Sequence, residues 1–187
     1  SGNPVLINAA GNLTFDNSSL TSLNASFLTG TGSVTKEGNY TLTLSGTNDH
    51  TGATFINDGT LTFGRASALN RQSAVTIADG ATLDTSRSTD GALLGSLAGA
   101  GDWVISRDLF PYSNSNMQAP APVTVGYDGT DTTFTGRVLA YDDPDYPYTR
   151  NAGEFTKVGN GILTLDTTDF GFETLNIQAG TLKLDVD

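Results

Sequence analysis

The chain contains no cysteine, and its 187 residues include one histidine, one tryptophan and one methionine. The absence of cysteine excludes disulfides and thiolate metal sites. No apolar run approaches the roughly 20 residues that a membrane-spanning helix needs. Charged residues are scarce, at 16%, and 20 acidic side chains against 9 basic ones give a net charge of −11. We therefore expect no nucleic-acid partner, because this charge repels phosphate backbones.

Glycine is abundant, with 22 residues, and short stretches in which apolar residues alternate with threonine recur along the chain. Residues 40–44, 59–63 and 161–165 are examples. A period of two predicts strands with one buried and one solvent-facing side. Glycine-containing turns separate the strands, and one short helical turn is predicted within 64–72. The alternation assigns these leucines to the interior: Leu42, Leu44, Leu61, Leu83, Leu163, Leu165 and Leu182.

The sequence also repeats itself. A shift of 121 residues brings Lys36 onto Lys157 and aligns residues 35–63 with residues 156–184. A shorter pattern, isoleucine followed by a glycine turn and a leucine, begins at Ile56 and again 21 residues later at Ile77. A period near twenty is typical of one coil of a solenoid. The expected fold is therefore all-β, a parallel β-helix (β-solenoid) whose backbone groups pair with the coils above and below, about 4.8 Å away.

Residues 35–63 carry a Thr-Lys-x-Gly start, a Thr-Leu-Thr-Leu-Ser-Gly strand, a Thr-Gly turn and a Gly-Thr-Leu ending. This order resembles the autotransporter-associated β-strand repeat. The second copy, 156–184, keeps the start and the ending but departs from the pattern at 166–173.

The resemblance implies a right-handed parallel β-helix from the passenger of a type V secretion system, exposed at the outer-membrane surface of a Gram-negative bacterium. The repeat is expected to support secretion and folding. Residues 1–187 are expected to form a single β-helix fragment of a longer passenger. Contact with the membrane is expected only through a C-terminal translocator barrel outside this chain.

Two segments rich in proline and aromatic residues interrupt the pattern, at about 107–122 and 139–153. Insertions in solenoids leave as surface loops. Aromatic rings beside carboxylates could bind a host-surface glycan or protein. A loop that only packs on the wall is the favoured alternative, because most surface loops bind nothing. The candidate ligand-binding residues are Tyr141, Asp142, Asp143, Asp145, Tyr146 and Tyr148.

Two further patterns could carry chemistry. Asp128 and Asp131, with the aspartates of 142–145, could hold calcium, but no calcium-binding motif is present and a solvated acidic loop is favoured. We therefore expect no metal and no cofactor. His50, the only ready general base near neutral pH, is expected to lie exposed in a turn, since no Gly-x-Ser-x-Gly nucleophile motif accompanies it.

The sequence thus favours a structural and adhesive protein over an enzyme. The alternative is a polysaccharide-active hydrolase or lyase with paired carboxylates on the same scaffold. Unpaired strand edges at the two ends predict self-association between copies.

Overall fold

The computed structural model describes residues 5–16, 21–23, 28–88, 90–106, 121–140, 153–167, 172 and 174–185. These residues form an all-β parallel solenoid, as predicted, with one 3₁₀ turn at Ala66–Ala68 inside the predicted helical segment. No helical segment within these ranges is long and apolar enough to cross a membrane. The strands, in chain order, are β1 Val5–Ile7, β2 Asn12–Asp16, β3 Thr21–Leu23, β4 Leu28–Gly30, β5 Ser33–Glu37, β6 Thr41–Leu44, β7 Thr54–Ile56, β8 Thr60–Phe63, β9 Ala74–Ile77, β10 Thr82–Asp84, β11 Ala92–Leu94, β12 Ser96–Gly99, β13 Asp102–Ser106, β14 Val123–Val125, β15 Thr132–Phe134, β16 Val138–Ala140, β17 Glu154–Lys157, β18 Ile162–Leu165, β19 Thr174–Ile177 and β20 Thr181–Leu184.

Every described strand pairs in parallel with a strand of a neighbouring coil. Sheet I has the order β2-β5-β7-β9-β12-β15-β18-β20, and sheet II the order β3-β6-β8-β10-β13-β16. Sheet III, β11-β14-β17-β19, and the two-stranded β1-β4 complete the wall. Thr54 pairs with Val34 on one side and Val75 on the other, so these coils take 20 and 21 residues. The predicted period of about twenty is therefore confirmed.

Two coils are longer. Phe134 pairs with Gly99 and with Leu165, which are 35 and 31 residues away. The two predicted insertions fall within these coils, but most of their residues lie outside the described part of the chain.

The third face of the solenoid is irregular between β4 and β11. The Leu28 carbonyl accepts hydrogen bonds from the backbone N–H groups of Asp49 (2.9 Å) and His50 (3.0 Å). The Asn48 N–H donates to the carbonyl of Ser67, at 3.1 Å, within the 3₁₀ turn. Residues 48–51 and the 3₁₀ turn therefore continue this face by single backbone hydrogen bonds between β4 and β11.

Stacked apolar side chains fill the interior. Six of the seven leucines assigned to the interior are buried, whereas Leu182 is only half-buried because β20 is the last strand described in sheet I. Phe55 is 37% exposed between the buried Thr54 and Ile56, so it points outward as the alternation predicts. One inward column of sheet II consists of Leu42, Leu61, Leu83, Trp103 and Val138.

The two segments related by the 121-residue shift occupy different faces. In the first, β5 and β7 lie in sheet I and β6 and β8 in sheet II. In the second, the corresponding β17 and β19 lie in sheet III, and β18 and β20 in sheet I. The shift is therefore not a whole number of coils, and the same strand-corner-strand pattern is used at two different corners.

Candidate functional site

A buried lysine holds the corner that follows β5. Lys36 is fully buried, and its Nζ donates to the carbonyls of Glu37 (2.6 Å), Gly38 (2.5 Å) and Asp58 (3.1 Å). The first two carbonyls belong to its own corner, and the third belongs to the corner of the next coil. Burial lowers the pKa of Lys36, and the nearby carboxylates of Asp58, Glu37 and Asp16 oppose that shift. One ammonium group therefore joins two successive coils.

The stem of this lysine occupies a core position. In sheet I, Lys36 stands in register between Phe15 of β2 and Ile56 of β7. Its methylene groups therefore lie in the apolar column, while the ammonium reaches the corner carbonyls.

The second segment has an equivalent lysine. Lys157 is buried at the end of β17, and its Nζ donates to the carbonyls of Val158 (2.5 Å) and Gly159 (3.0 Å). Burial lowers its pKa, with Asp128 and Asp131 acting in the opposite direction. The sequence patterns did not predict that either lysine is buried and binds corner carbonyls. The available signal was the Thr-Lys dipeptide, which recurs at both positions when the chain is shifted by 121 residues.

Glycine is required where the lysine-bound corners stack. Gly59 has φ +64°, and a Cβ there would lie 2.5 Å from the carbonyl oxygen of Gly38 in the coil below. A side chain would collide with one of the carbonyls that Lys36 binds. The predicted turn glycine is thus needed both for its backbone conformation and for close approach of two coils.

On the irregular third face, buried polar side chains connect the coils in place of strand pairing. We call this group the polar seam, and it consists of Asn48, His50, Thr54 and Ser73. Asn48 accepts a hydrogen bond from Leu28 N at its Oδ1 (3.0 Å) and donates from Nδ2 to the Ala68 carbonyl (2.8 Å). Its side chain is buried and so joins the coils below and above its own.

His50 belongs to the same seam, and its predicted exposure in a turn is wrong. The side chain is fully buried, with Nε2 3.3 Å from Thr54 Oγ1, which lies 3.0 Å from Ser73 Oγ. The turn folds inward because its backbone pairs with Leu28 of the coil below. Burial lowers the pKa of the imidazole below its usual value of 6.5. No composition or spacing signal marks this inward turn.

One column of side chains on the outward side of sheet I consists mainly of threonine. The register aligns Thr14, Thr35, Phe55 and Thr76 in one outward column, and Thr133 and Thr164 pair further along the same sheet. Lys183 follows Thr164 on the last described strand. The part of this column formed by Thr14, Thr35, Phe55 and Thr76 is therefore uncharged, within a chain whose net charge is −11.

The two described aspartates of the calcium hypothesis form structural hydrogen bonds. Asp128 Oδ1 accepts from the N–H (2.9 Å) and the hydroxyl (2.8 Å) of Thr130, and Asp131 Oδ1 accepts from Ile162 N at 2.7 Å. Among the residues that the structure describes, no group of three or more histidine, cysteine or acidic side chains could hold a metal ion. These two aspartates therefore organise a turn and the contact with the next coil.

The described carboxyl groups also bear on the enzyme alternative. The pKa of Asp90 is lowered, because its carboxylate accepts hydrogen bonds from the Ala66 N–H (2.8 Å) and the Ser88 hydroxyl (3.1 Å). A glycosidase acid would need a raised pKa. The six candidate ligand-binding residues, from Tyr141 to Tyr148, lie outside the described residues.

Comparisons with known proteins agree with this architecture. Residues 34–63, which include the Lys36 corner, match the model of the passenger-associated-transport-repeat family. Among curated proteins, the adhesin BmaC autotransporter of Brucella suis biovar 1 (strain 1330) is 31% identical over 158 residues, which cover 84% of this chain. The chain is a segment of an autotransporter passenger. It spans only 4% of the length of that relative. No solved structure matches the chain significantly.

Membership in this class places the chain in a secreted polypeptide at the outer-membrane surface of a Gram-negative bacterium. The corner that Lys36 holds lies inside the matched segment. The passenger repeat of this chain is therefore a unit whose buried lysine and close-packed glycine connect one coil to the next.

Proposed function

We propose that this passenger segment is a structural and adhesive rod, which supports secretion and folding and presents surface loops. The observation that carries the proposal is the continuous parallel stack, in which corners such as that of Lys36 are linked to the following coil by a buried side chain. A coil of this kind can form on the edge of the preceding one, because each repeat contacts mainly its neighbours. The similarity to a protein named as an adhesin supports the adhesive part.

We assign adhesion to the loops rather than to the wall. We infer that residues 1–187 form a single β-helix fragment of a longer passenger, with repeat copies at 35–63 and 156–184 and loop insertions at about 107–122 and 139–153. The second insertion combines tyrosines and carboxylates at 141–148, which suit a host-surface glycan or protein. Self-association between copies is a further proposed interaction, through the uncharged part of the outward column of sheet I formed by Thr14, Thr35, Phe55 and Thr76.

The test replaces residues 141–148 with a glycine-serine segment of equal length and compares binding to a glycan array and to host cells. The matched control makes the same replacement at 111–118, in the other insertion. We expect the first variant to lose binding and the control to retain it. Unchanged binding by the first variant would remove this loop from the adhesive function.

We propose a non-enzymatic role for the segment. The pKa of the Asp90 carboxyl group is lowered, which is opposite to the raised pKa that a glycosidase acid needs. Release of reducing ends or unsaturated sugars from any polysaccharide on the same array would contradict this part of the proposal.

A further inference from the structure

Among the described residues, His50 Nδ1 is the buried side-chain nitrogen or oxygen without a hydrogen-bond partner. Buried polar atoms are normally paired, so this nitrogen is an exception that calls for a physical explanation. His50 is also the only histidine in the chain, and it lies inside the family-matched segment.

The surrounding hydroxyl groups assign the tautomer. Ser73 Oγ donates its single proton to the Gly52 carbonyl at 2.6 Å, so it accepts from Thr54 Oγ1. Thr54 has then used its own proton and must accept from His50 Nε2–H. Nδ1 is therefore the bare nitrogen, with a lone pair in the interior of the solenoid. A neutral imidazole tolerates this arrangement better than an imidazolium, which would add a second buried donor without an acceptor.

Among the residues that the structure describes, no neighbouring charge compensates for a proton on His50. On its own segment the ionisable neighbour is Asp49, which is exposed. Residues 28–32 of the coil below, β7 and β9 carry no ionisable side chain. On the coil above, Arg71 has the same sign as an imidazolium and lies 5.4 Å from the ring centroid of Tyr127.

We propose that neutral His50 holds the coil segment 48–54 in place and that its protonation opens this segment while the other coils remain stacked. This property goes beyond the proposed role as a rod and does not depend on adhesion. Burial as the sole cause of its lowered pKa supports the same conclusion. Because the pKa is lower when folded than when exposed, the stabilisation is complete above pH 6.5 and is lost as the pH falls toward the folded-state pKa.

The test measures amide hydrogen exchange of the intact chain at pH 7 and pH 5, with correction for the intrinsic exchange rate at each pH. We expect the opening equilibrium of peptides covering 46–56 to rise by up to about 25-fold, the limit for one proton taken up with a pKa near 6.5. Peptides covering 161–167, a stretch of sheet I without histidine, serve as the internal control and should change less.

The matched variant is His50→Gln, which keeps an N–H donor toward Thr54 but does not titrate. Its opening equilibrium over 46–56 should be nearly independent of pH in this range. A change of less than about twofold in the wild-type chain would overturn the proposal, because acid would then not open the segment. An equal change in the variant would also overturn it, because carboxyl protonation would then explain the acid effect.

Nitrogen-15 NMR of the wild-type chain provides a test that does not require the variant to fold. A single histidine gives one unambiguous imidazole, whose two nitrogen shifts distinguish the tautomers. We expect an Nε2–H tautomer whose imidazole takes up its proton at a pH below the usual pKa of 6.5 in the folded chain. An imidazole that titrates near pH 6.5 while the amides of residues 48–54 stay protected would refute the proposal that protonation of His50 opens this segment.

Discussion

Replacement of Lys36 with methionine tests whether the buried ammonium joins the coils. Methionine keeps a flexible stem of similar length in the apolar column between Phe15 and Ile56 but removes the donor. The three carbonyls that the ammonium binds would then lose their partner inside a buried corner. Hydrogen bonds to charged groups contribute about 1.5–3 kcal/mol each, and loss of the buried charge returns part of that sum as relieved desolvation. We expect a net loss of about 2–4 kcal/mol.

Two other lysines provide the comparison. Lys157→Met removes the two carbonyl contacts described for this ammonium group, against three for Lys36, so its cost should be smaller, about 1–3 kcal/mol. Lys183 is exposed and pairs only with Asp185 among the described contacts, so Lys183→Met should leave stability unchanged.

Urea unfolding followed by the fluorescence of the single, buried Trp103 measures all three variants. Amide exchange at residues 36–40 and 57–60 shows whether the loss is local, since a solenoid need not unfold in one step. A Lys36→Met chain as stable as the wild type would refute the reasoning, because it would show that desolvation of the ammonium cancels its hydrogen bonds.

Two further substitutions test the seam and the corner. Asn48→Ala should lower the free energy of unfolding, measured in urea, by about 2–4 kcal/mol, because the Leu28 N–H and the Ala68 carbonyl both lose their buried partner. A decrease below about 0.5 kcal/mol would contradict the role of Asn48 in joining the coils. Gly59→Ala should destabilise the chain more than Gly80→Ala. Both glycines have positive φ, so each alanine variant has a backbone cost of about 1–2 kcal/mol. Of the two, only Gly59 has a carbonyl oxygen at the place where the new Cβ would lie. Equal melting temperatures for the two alanine variants would show that close packing at the corner is unimportant.

Local patterns in the sequence predicted much of the wall. Strand alternation is a property of neighbouring residues, so it correctly placed Leu42, Leu44 and Leu61 inside and Phe55 outside. The spacing between similar turns correctly gave the coil length. The strand alternation and the turn spacing are both contained within about twenty residues, which is the length of one coil of this fold.

The buried polar residues could not be predicted in the same way. Lys36 and His50 are residue types that are usually exposed, and only contacts with other coils make their burial favourable. The Lys36 ammonium needs the carbonyl of Asp58, and the His50 ring needs the hydroxyl of Thr54. The predicted ligand-binding loop at 141–148 stays a prediction, because its residues lie outside the described ranges.

The sequence alone determined that this chain is a stack of parallel strands with leucines inside and glycines at the corners, because hydrophobic alternation and turn chemistry act locally. The tertiary structure decided which face each repeat occupies. The segments related by 121 residues lie on different sheets, since the number of residues in the intervening coils, with their insertions, sets how far the chain has rotated. It also decided which polar groups are buried, because the partners of Lys36, Asn48 and His50 become neighbours only when the coils stack.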